Sequence, residues 1–239
     1  MRVAAFSDTH GNILGLEAVL GDIARHGPFD ELLMAGDLVN GGPRPAETLA
    51  RIRALDCPVV LGNTDYYLFA AGRALNEAGL KDSERAQAAW AAQRIGPDGV
   101  AYLQALPRRV HVPGPDGGIL MVHANLDDLE LHIAPEEDEA ALLGRLAGME
   151  ERVLVFGHLH ISNQRRVGDL LLVDVASAGF PRDGDRRAAW VEILHEGAGW
   201  HAVLHRVEYD VEAVAADLLA SGMPRAAKRA KVLRAARYT

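Results

Sequence analysis

Short apolar runs recur along the chain, and each stops abruptly at a polar cluster, usually flanked by glycine. Residues 3–6 lead into Ser7-Asp8-Thr9-His10, and residues 32–35 into Gly36-Asp37. Residues 59–61 lead into Gly62-Asn63-Thr64-Asp65. Farther on, residues 119–122 precede His123-Ala124-Asn125, and residues 153–156 precede Gly157-His158-Leu159-His160. Unbroken apolar runs of this length predict strands covered on both faces. Between the early runs the period becomes helical. Ile13, Leu16, Leu20 and Ile23 share one side of residues 12–25, and Gly27-Pro28 stops the pattern. A second helix is predicted from about Pro43–Pro45, carrying Thr48, Leu49, Ile52 and Leu55. The order strand, helix, strand, helix, strand implies a parallel core with crossover helices.

Residues 82–106 read as helix, with Ala86, Ala89, Trp90 and Gln93 on one side and a break at Gly96-Pro97. Residues 127–146 read as an acidic loop feeding a helix, where Glu136 and Glu137 would complement the helix dipole. After His160 the pattern turns to alternation. Residues 165–173 predict one hairpin; residues 188–194 and 200–207, joined at 196–199, predict another. These suggest a second, largely antiparallel sheet packed on the first half. With no repeat or linker, residues 1–239 read as a single domain. It closes on a basic helix over 222–239, whose last 16 residues hold six basic side chains and no acidic one. The plainer reading of that helix is a solvated element docking its alanine side.

Charge narrows the function. Lys and Arg number 25 against 33 Asp and Glu, a formal net charge of −8. Such a chain does not coat a nucleic-acid polymer. A small phosphate ester remains compatible, because a metal ion can supply local positive charge. The single cysteine, Cys57, excludes an intrachain disulfide and reads as a small buried hydrophobe. The N-terminus lacks signal-peptide features, and no apolar run approaches the ~20 residues of a membrane span. A cytoplasmic protein without a membrane partner is expected, and a homo-oligomer stays open.

Taken alone, a His or Asp after a strand is more often structural than a ligand. Convergence changes that. Strand C-terminal ends in an open α/β sheet share one edge, where such folds build their sites. Asp8, Asp37, Asn63, His123 and His158 sit at that end of their strands, with His10 and His160 two residues beyond. Two carboxylates, an amide oxygen and four imidazoles suit Mn, Fe, Ni or Zn better than Ca or Mg. No glycine-rich phosphate loop follows the first strand, so a P-loop or Rossmann protein is excluded.

The series D-x-H, GD, GN, VHA and GHLH resembles the calcineurin-like metallophosphoesterases, specifically their small bacterial and archaeal phosphodiesterase branch, from residue 3 to about 187. The resemblance implies an α/β fold, a four-layer α/β/β/α sandwich of two mixed central sheets flanked by helices. It also implies two divalent metal ions, with manganese foremost. Asp8, His10 and His160 would hold the first, Asn63, His123 and His158 the second, and Asp37 would bridge them. Two metals ~3.5–4 Å apart can share a hydroxide held by Asp37 and clamp an in-line displacement, with no side-chain nucleophile. Two divalent ions, two carboxylates and that hydroxide leave a core of about +1, which attracts phosphate. Asn12 and Asn63 are candidate substrate contacts, Asn12 being equally a helix N-cap.

Two departures qualify the resemblance. Relatives often carry histidine after the motif-three asparagine, placed to protonate the leaving group, whereas this chain has Thr64. General acid catalysis contributes ~10²–10⁴-fold, so good leaving groups or diesters should be favoured. His132, in the acidic loop, is a candidate replacement, against the plainer reading of a surface histidine. An Asn-Pro-Gly-Ser segment common in relatives is Asp174-Val175-Ala176-Ser177 here, while Phe180-Pro181-Arg182-Asp183-Gly184-Asp185 is retained. Arg182 could offer a forked donor to a phosphate, or pair with Asp183 or Asp185 to fix a turn. His26, His111, His195, His201 and His205 read as structural or surface groups. The expected function is metal-dependent hydrolysis of a small phosphate ester, a phosphodiester or nucleotide. The competing readings are a protein phosphatase, a dinucleoside-polyphosphate hydrolase, or a non-catalytic scaffold on the same fold.

Overall fold

The computed structural model describes residues 1–70, 80–197 and 199–237. The first apolar run forms β1 (Arg2–Phe6), followed by α1 (Ile13–His26), β2 (Glu31–Met34) and α2 (Pro45–Arg53). A single turn, α3 (Asn63–Tyr66), precedes α4 (Asp82–Ala105), β3 (Arg109–Val112) and β4 (Ile119–Val122). Then come α5 (Glu139–Arg145), β5 (Val153–Phe156), β6 (Asn163–Val167), β7 (Leu170–Asp174), β8 (Ala188–Glu196) and β9 (Gly199–Val207). Helices α6 (Val211–Ala220) and α7 (Ala226–Ala235) close the chain.

The strands form two mixed sheets, ordered β2-β1-β8-β9 and β3-β4-β5-β7-β6. Strand alternation explains why the runs are apolar throughout. Val3 and Ala5 meet Met121, Val153 and Val155 in the core between the sheets. Their neighbours Ala4 and Phe6 face outward under Leu16, Val19, Leu49, Ile52 and Leu103 of α1, α2 and α4. On the second sheet Leu120, Val122, Leu154 and Phe156 face outward under Leu142 of α5 and Ile133 of the loop before it. Both faces of each central strand are therefore covered, in four layers.

The expected division into a parallel first half and an antiparallel second half does not hold. Strand β8 inserts antiparallel beside β1, while β7 lies parallel beside β5, so each hairpin extends a different sheet. Residues 59–61 form no strand. Only an isolated bridge, Val59 to Met34, continues β2's neighbour position, because Pro58 and Gly62 leave the run too short for a ladder. The Gly96-Pro97 break in α4 is present, with Gly96 at φ 69°. Its buried face, however, is Gln87, Ala88 and Ala91 rather than Ala86, Ala89 and Gln93, which are exposed. Trp90 packs instead toward α6 and α7.

The dipole role expected of Glu136 and Glu137 falls to another residue: Asp138 is the N-cap of α5, accepting from Ala141 N–H at 3.0 Å. Glu137 pairs with Arg145. Cys57 is half-buried, and burial pushes its thiol up to about 11, consistent with an inert packing residue. Of the expected basic helix, Ala226–Ala235 is helical, Ala230 and Leu233 are buried, and residues 238–239 lie outside the described ones. Arg229 shares that docked side, which a solvated helix would not require. Among the described residues no helix is long and apolar enough to cross a membrane.

Candidate metal centre

The C-terminal ends of β1, β2, β4 and β5 come together from both sheets. Their turns are laced by backbone hydrogen bonds: Asp8 N–H donates to Gly36 O at 3.0 Å, and His10 N–H to Asp37 O at 2.9 Å. Gly157 N–H donates to His123 O at 2.9 Å, and His158 N–H to Asp8 Oδ2 at 3.1 Å, tying the two sheets at this edge. Asp8, His10, Asp37, His158 and His160 all adopt positive φ, between 48° and 78°. Non-glycine residues rarely accept this conformation, and such strain gathers where a site over-determines the backbone.

Three histidines are held in one tautomer. His10 Nδ1 donates to Asn40 O at 2.6 Å, His123 Nδ1 to Ala35 O at 2.8 Å, and His160 Nδ1 to Phe180 O. With Nδ1 committed to a carbonyl, Nε2 is the atom each ring turns inward. His10 Nε2 lies 3.0 Å from His160 Nε2, and His123 Nε2 lies 3.0 Å from Asn63 Oδ1. A cation seated between these atoms would take both members of each pair as ligands. Among the described residues, buried Asp8 Oδ1 has no hydrogen-bond partner and stands 3.1 Å from His160 Nε2. The donor set therefore fits divalent metals that favour imidazole and carboxylate.

Asp37 links the two groups. Its Oδ2 lies 3.5 Å from His10 Nε2, and its Oδ1 lies 3.6 Å from His123 Nε2. Ligand atoms of Asp8, His10, Asp37 and His160 fall within 4.8 Å of one another. His158 stands outside that tight set, its ring centroid 5.2 Å from that of His123. All seven residues expected as ligands thus share one edge, arranged about Asp37.

The electrostatics suit metal binding. Burial holds the His160 imidazole down to about 3, and burial with His123 nearby holds His158 to about 4, so both stay neutral with free lone pairs. Burial alone would raise the Asp8 carboxyl, but His160, His10 and His123 outweigh it and keep Asp8 well below the usual range. For His123 burial is likewise outweighed, by Asp37, Asp8 and Asp65, and its pKa rises. A pocket that draws a proton against desolvation draws a metal ion for the same reason.

Several contributors were not singled out from sequence. Tyr67 hydroxyl donates to Glu130, so it must accept from Asn63 Nδ2, 3.1 Å away. That orientation turns Asn63 Oδ1 toward His123. Buried Asp65 accepts from Leu38 and Val39 N–H and fixes the turn after Asp37. Burial and Asp37 raise its carboxyl to about 7. The motif spacing named Asp65 but not its partner loop. Arg229 of α7 donates to Gly41 O at 2.8 Å and lies 4.0 Å over Phe180, whose ring meets His10 edge-on.

Among the candidate substrate contacts, Asn12 caps α1. Its Oδ1 accepts from Gly15 N–H at 3.0 Å and its Nδ2 donates to Gly179 O at 2.8 Å. Arg182 lines the cavity that holds His10 and Thr64. Asp183 pairs with Arg206 and Asp185 with Arg187, so the expected turn-fixing pairs go to other arginines. His132 is exposed and its ring stacks 6.4 Å from that of His158. Of the other histidines, His205 stacks flat on Trp190 at 4.1 Å beside His26, a packing arrangement away from this edge.

A Cβ at Gly62 would lie 2.1 Å from Asp37 Oδ1 and 2.2 Å from Asp37 N. Gly62→Ala should therefore displace the Asp37 carboxylate and weaken metal binding ~10–100-fold, the range seen when a ligand's support is lost. Metal content after equilibrium dialysis checks this; wild-type stoichiometry in the variant would refute it.

Comparison with known proteins agrees with this geometry. Residues 1–196 match the calcineurin-like phosphoesterase superfamily domain. The chain is 26% identical over 243 residues to an uncharacterized protein of Methanocaldococcus jannaschii, covering 93% of each. It is 34% identical over 127 residues to the symmetrical bis(5'-nucleosyl)-tetraphosphatase of Neisseria gonorrhoeae, a match spanning 51% of this chain and only 42% of that one. It superposes on the crystal structure of a metallophosphoesterase from Sphaerobacter thermophilus with a TM-score of 0.77 at 25% identity, covering 99% of this chain and 100% of that one. A protein from Pyrococcus horikoshii OT3 shares the fold, with a TM-score of 0.83 at 19% identity over 97% of both. With the matched domain spanning every turn that carries a candidate ligand, the chain belongs to the calcineurin-like phosphoesterase superfamily and is a phosphoester hydrolase.

Proposed function

We propose that this hydrolase cleaves a small phosphodiester of the nucleotide class at two divalent metal ions, manganese foremost, with iron, nickel or zinc as substitutes. The observation that carries the reading is Asp37, which offers one oxygen to the His10 group and the other to the His123 group. Asp8, His10 and His160 would hold one ion, Asn63, His123 and His158 the other, and Asp37 both. Bound ions supply an activated water and neutralise charge on the phosphoryl oxygens.

The chain's own residues do the rest. The Nδ1–carbonyl bonds lock the imidazoles, and the Tyr67–Glu130 pair aims the Asn63 oxygen. Arg182 and the Asn63 amide are the contacts for phosphate, while Asn12 acts one step back by anchoring the Gly179 carbonyl. No side chain serves as nucleophile. Residues 1–239 act as one domain, because α7 reaches the site through Arg229. A reducing cytoplasm suits the single, inert Cys57.

Purified protein with Mn²⁺ should hydrolyse bis-p-nitrophenyl phosphate faster than p-nitrophenyl phosphate. Equal or reversed preference would remove the diesterase part. Dinucleoside-polyphosphate hydrolysis is the second reading, favoured by the Neisseria relative's 34% identity. Release of nucleoside diphosphate from diadenosine tetraphosphate, faster than any simple diester is cleaved, would promote it.

A further inference from the structure

Asp22 and His26 lie one turn apart on α1, at the end of the helix remote from its Asn12 cap. Ten residues of helix, ~15 Å at 1.5 Å per residue, separate Asn12 from Asp22. His205 of β9 stands beside them, directly across the ladder from Trp190 of β8. One ligand atom from each of Asp22, His26 and His205 falls within 4.8 Å of the other two. The spread is the same as that of Asp8, His10, Asp37 and His160.

Neighbours hold the three side chains in place. The His205 ring stacks flat on Trp190 at 4.1 Å, and Trp190 Nε1 donates to Asp22 Oδ2 at 2.8 Å, so one indole orients two of the three. His26 Nδ1 lies 2.9 Å from Asp22 O, and its ring centroid is 4.6 Å from that of His205. Packing leaves one atom unexplained. His205 Nε2 is buried without a hydrogen-bond partner among the described residues, with Glu192 Oε2 3.4 Å away. A buried polar atom left bare costs stability unless something takes it. Burial, with His26 nearby, holds the His205 ring below the usual imidazole range, so at neutral pH one of its nitrogens carries a lone pair. The nearby cations are committed elsewhere. Arg25 donates to Asp22 Oδ1 at 2.7 Å, and Arg2 to Glu192 Oε1 at 2.7 Å and to the carbonyls of His26 and Pro28. Each carboxylate oxygen has two lone pairs, so Asp22 keeps capacity for an ion.

Two imidazoles and a carboxylate suit zinc, nickel or copper better than calcium or magnesium. Three protein ligands leave a fourth position for water, which the 40% exposure of the His26 side chain admits. We propose that Asp22, His26 and His205 form a metal site separate from the centre around Asp37. It takes one ion of the zinc, nickel or copper class and clamps the end of α1 to the edge strand β9. The site stands independently of the hydrolytic reading.

The first test is zinc content after equilibrium dialysis of the wild type, His26→Gln and His205→Gln. The wild type should hold one zinc per chain more than either variant. That difference is the same however many ions the Asp37 centre takes. The second test is quenching of tryptophan fluorescence by Cu²⁺, because Trp190 stacks on one of the proposed ligands. Wild-type titration should show a saturable quenching phase. Losing an outer partner of a metal weakens binding ~10–100-fold, so losing a ligand in His26→Gln should raise the midpoint by ~10²-fold or more. His26 is exposed and meets Trp190 only edge-on at 5.6 Å, so this variant removes a ligand while sparing the stack. In Asp37→Ala the quenching phase should persist, because its ion sits elsewhere. Equal zinc content in the wild type and both variants overturns the site. So does an unchanged midpoint in His26→Gln, or a quenching phase lost in Asp37→Ala.

Discussion

Asp37→Ala lowers kcat/KM for a phosphodiester by at least ~10³-fold, equivalent to ~4 kcal/mol of transition-state stabilisation. The size follows from what one side chain does. Asp37 approaches His10 Nε2 at 3.5 Å with one oxygen and His123 Nε2 at 3.6 Å with the other. Alanine leaves the two histidine groups without a shared anion, so two ions would repel each other across the gap unscreened. The metal content of the variant should fall by at least one ion per chain. Asp37 Oδ1 also accepts from Thr64 N–H at 2.9 Å, so circular dichroism must show that the variant is folded. Asp37→Asn, which keeps one oxygen and the Thr64 hydrogen bond, should retain more activity than alanine. A folded alanine variant holding two metals and a tenth of wild-type activity would refute a bridging role.

Thr64→His raises the rate on esters with poor leaving groups, relative to those with p-nitrophenolate, by ~10²-fold. The threonine hydroxyl cannot donate a proton near neutral pH, whereas an imidazole can, and a placed general acid contributes ~10²–10⁴-fold. Geometry favours the replacement. Thr64 lines the cavity with His10, and its hydroxyl has no hydrogen-bond partner among the described residues, so no existing bond is lost. The measurement is the dependence of log(kcat/KM) on leaving-group pKa across aryl and alkyl diesters. The slope should flatten in the variant. An unchanged slope would mean that the leaving group is already protonated, and His132, stacked 6.4 Å from His158, is the side chain to test next.

The site was more legible than the fold around it. Asp8, Asp37, His123 and His158 each follow a run covered on both faces, so the sequence marks where a strand ends. One polar residue there is ordinary, but four at the same end of four strands are not. Which strands pair is another matter. Val191 of β8 lies opposite Ala5, and Val173 of β7 lies opposite Val155, yet period-2 alternation reads the same whichever partner a strand finds. Non-local pairing of this sort, with most of the chain separating β1 from β8, leaves no local trace. The run at 59–61 reads as a strand because its residues are strand formers, while its flanks, Pro58 and Gly62, forbid a ladder. Arg229 escaped notice for a further reason. Only the packing of Ala230 and Leu233 decides which side of α7 faces inward, and the basic residues of that helix look alike until it docks.

Asp8 and Asp37 leave one sheet, His123 and His158 the other, and Met121, Val155 and Ala5 fill the space between. The distance across the candidate metal centre is therefore set by the thickness of a hydrocarbon layer. Close-packed interiors transmit a change of even one methylene instead of absorbing it. Enzyme turnover becomes a caliper for how tightly two sheets sit together. On the proposed reading, residues with no chemistry of their own, well below the pocket, help to set how well phosphate is cleaved.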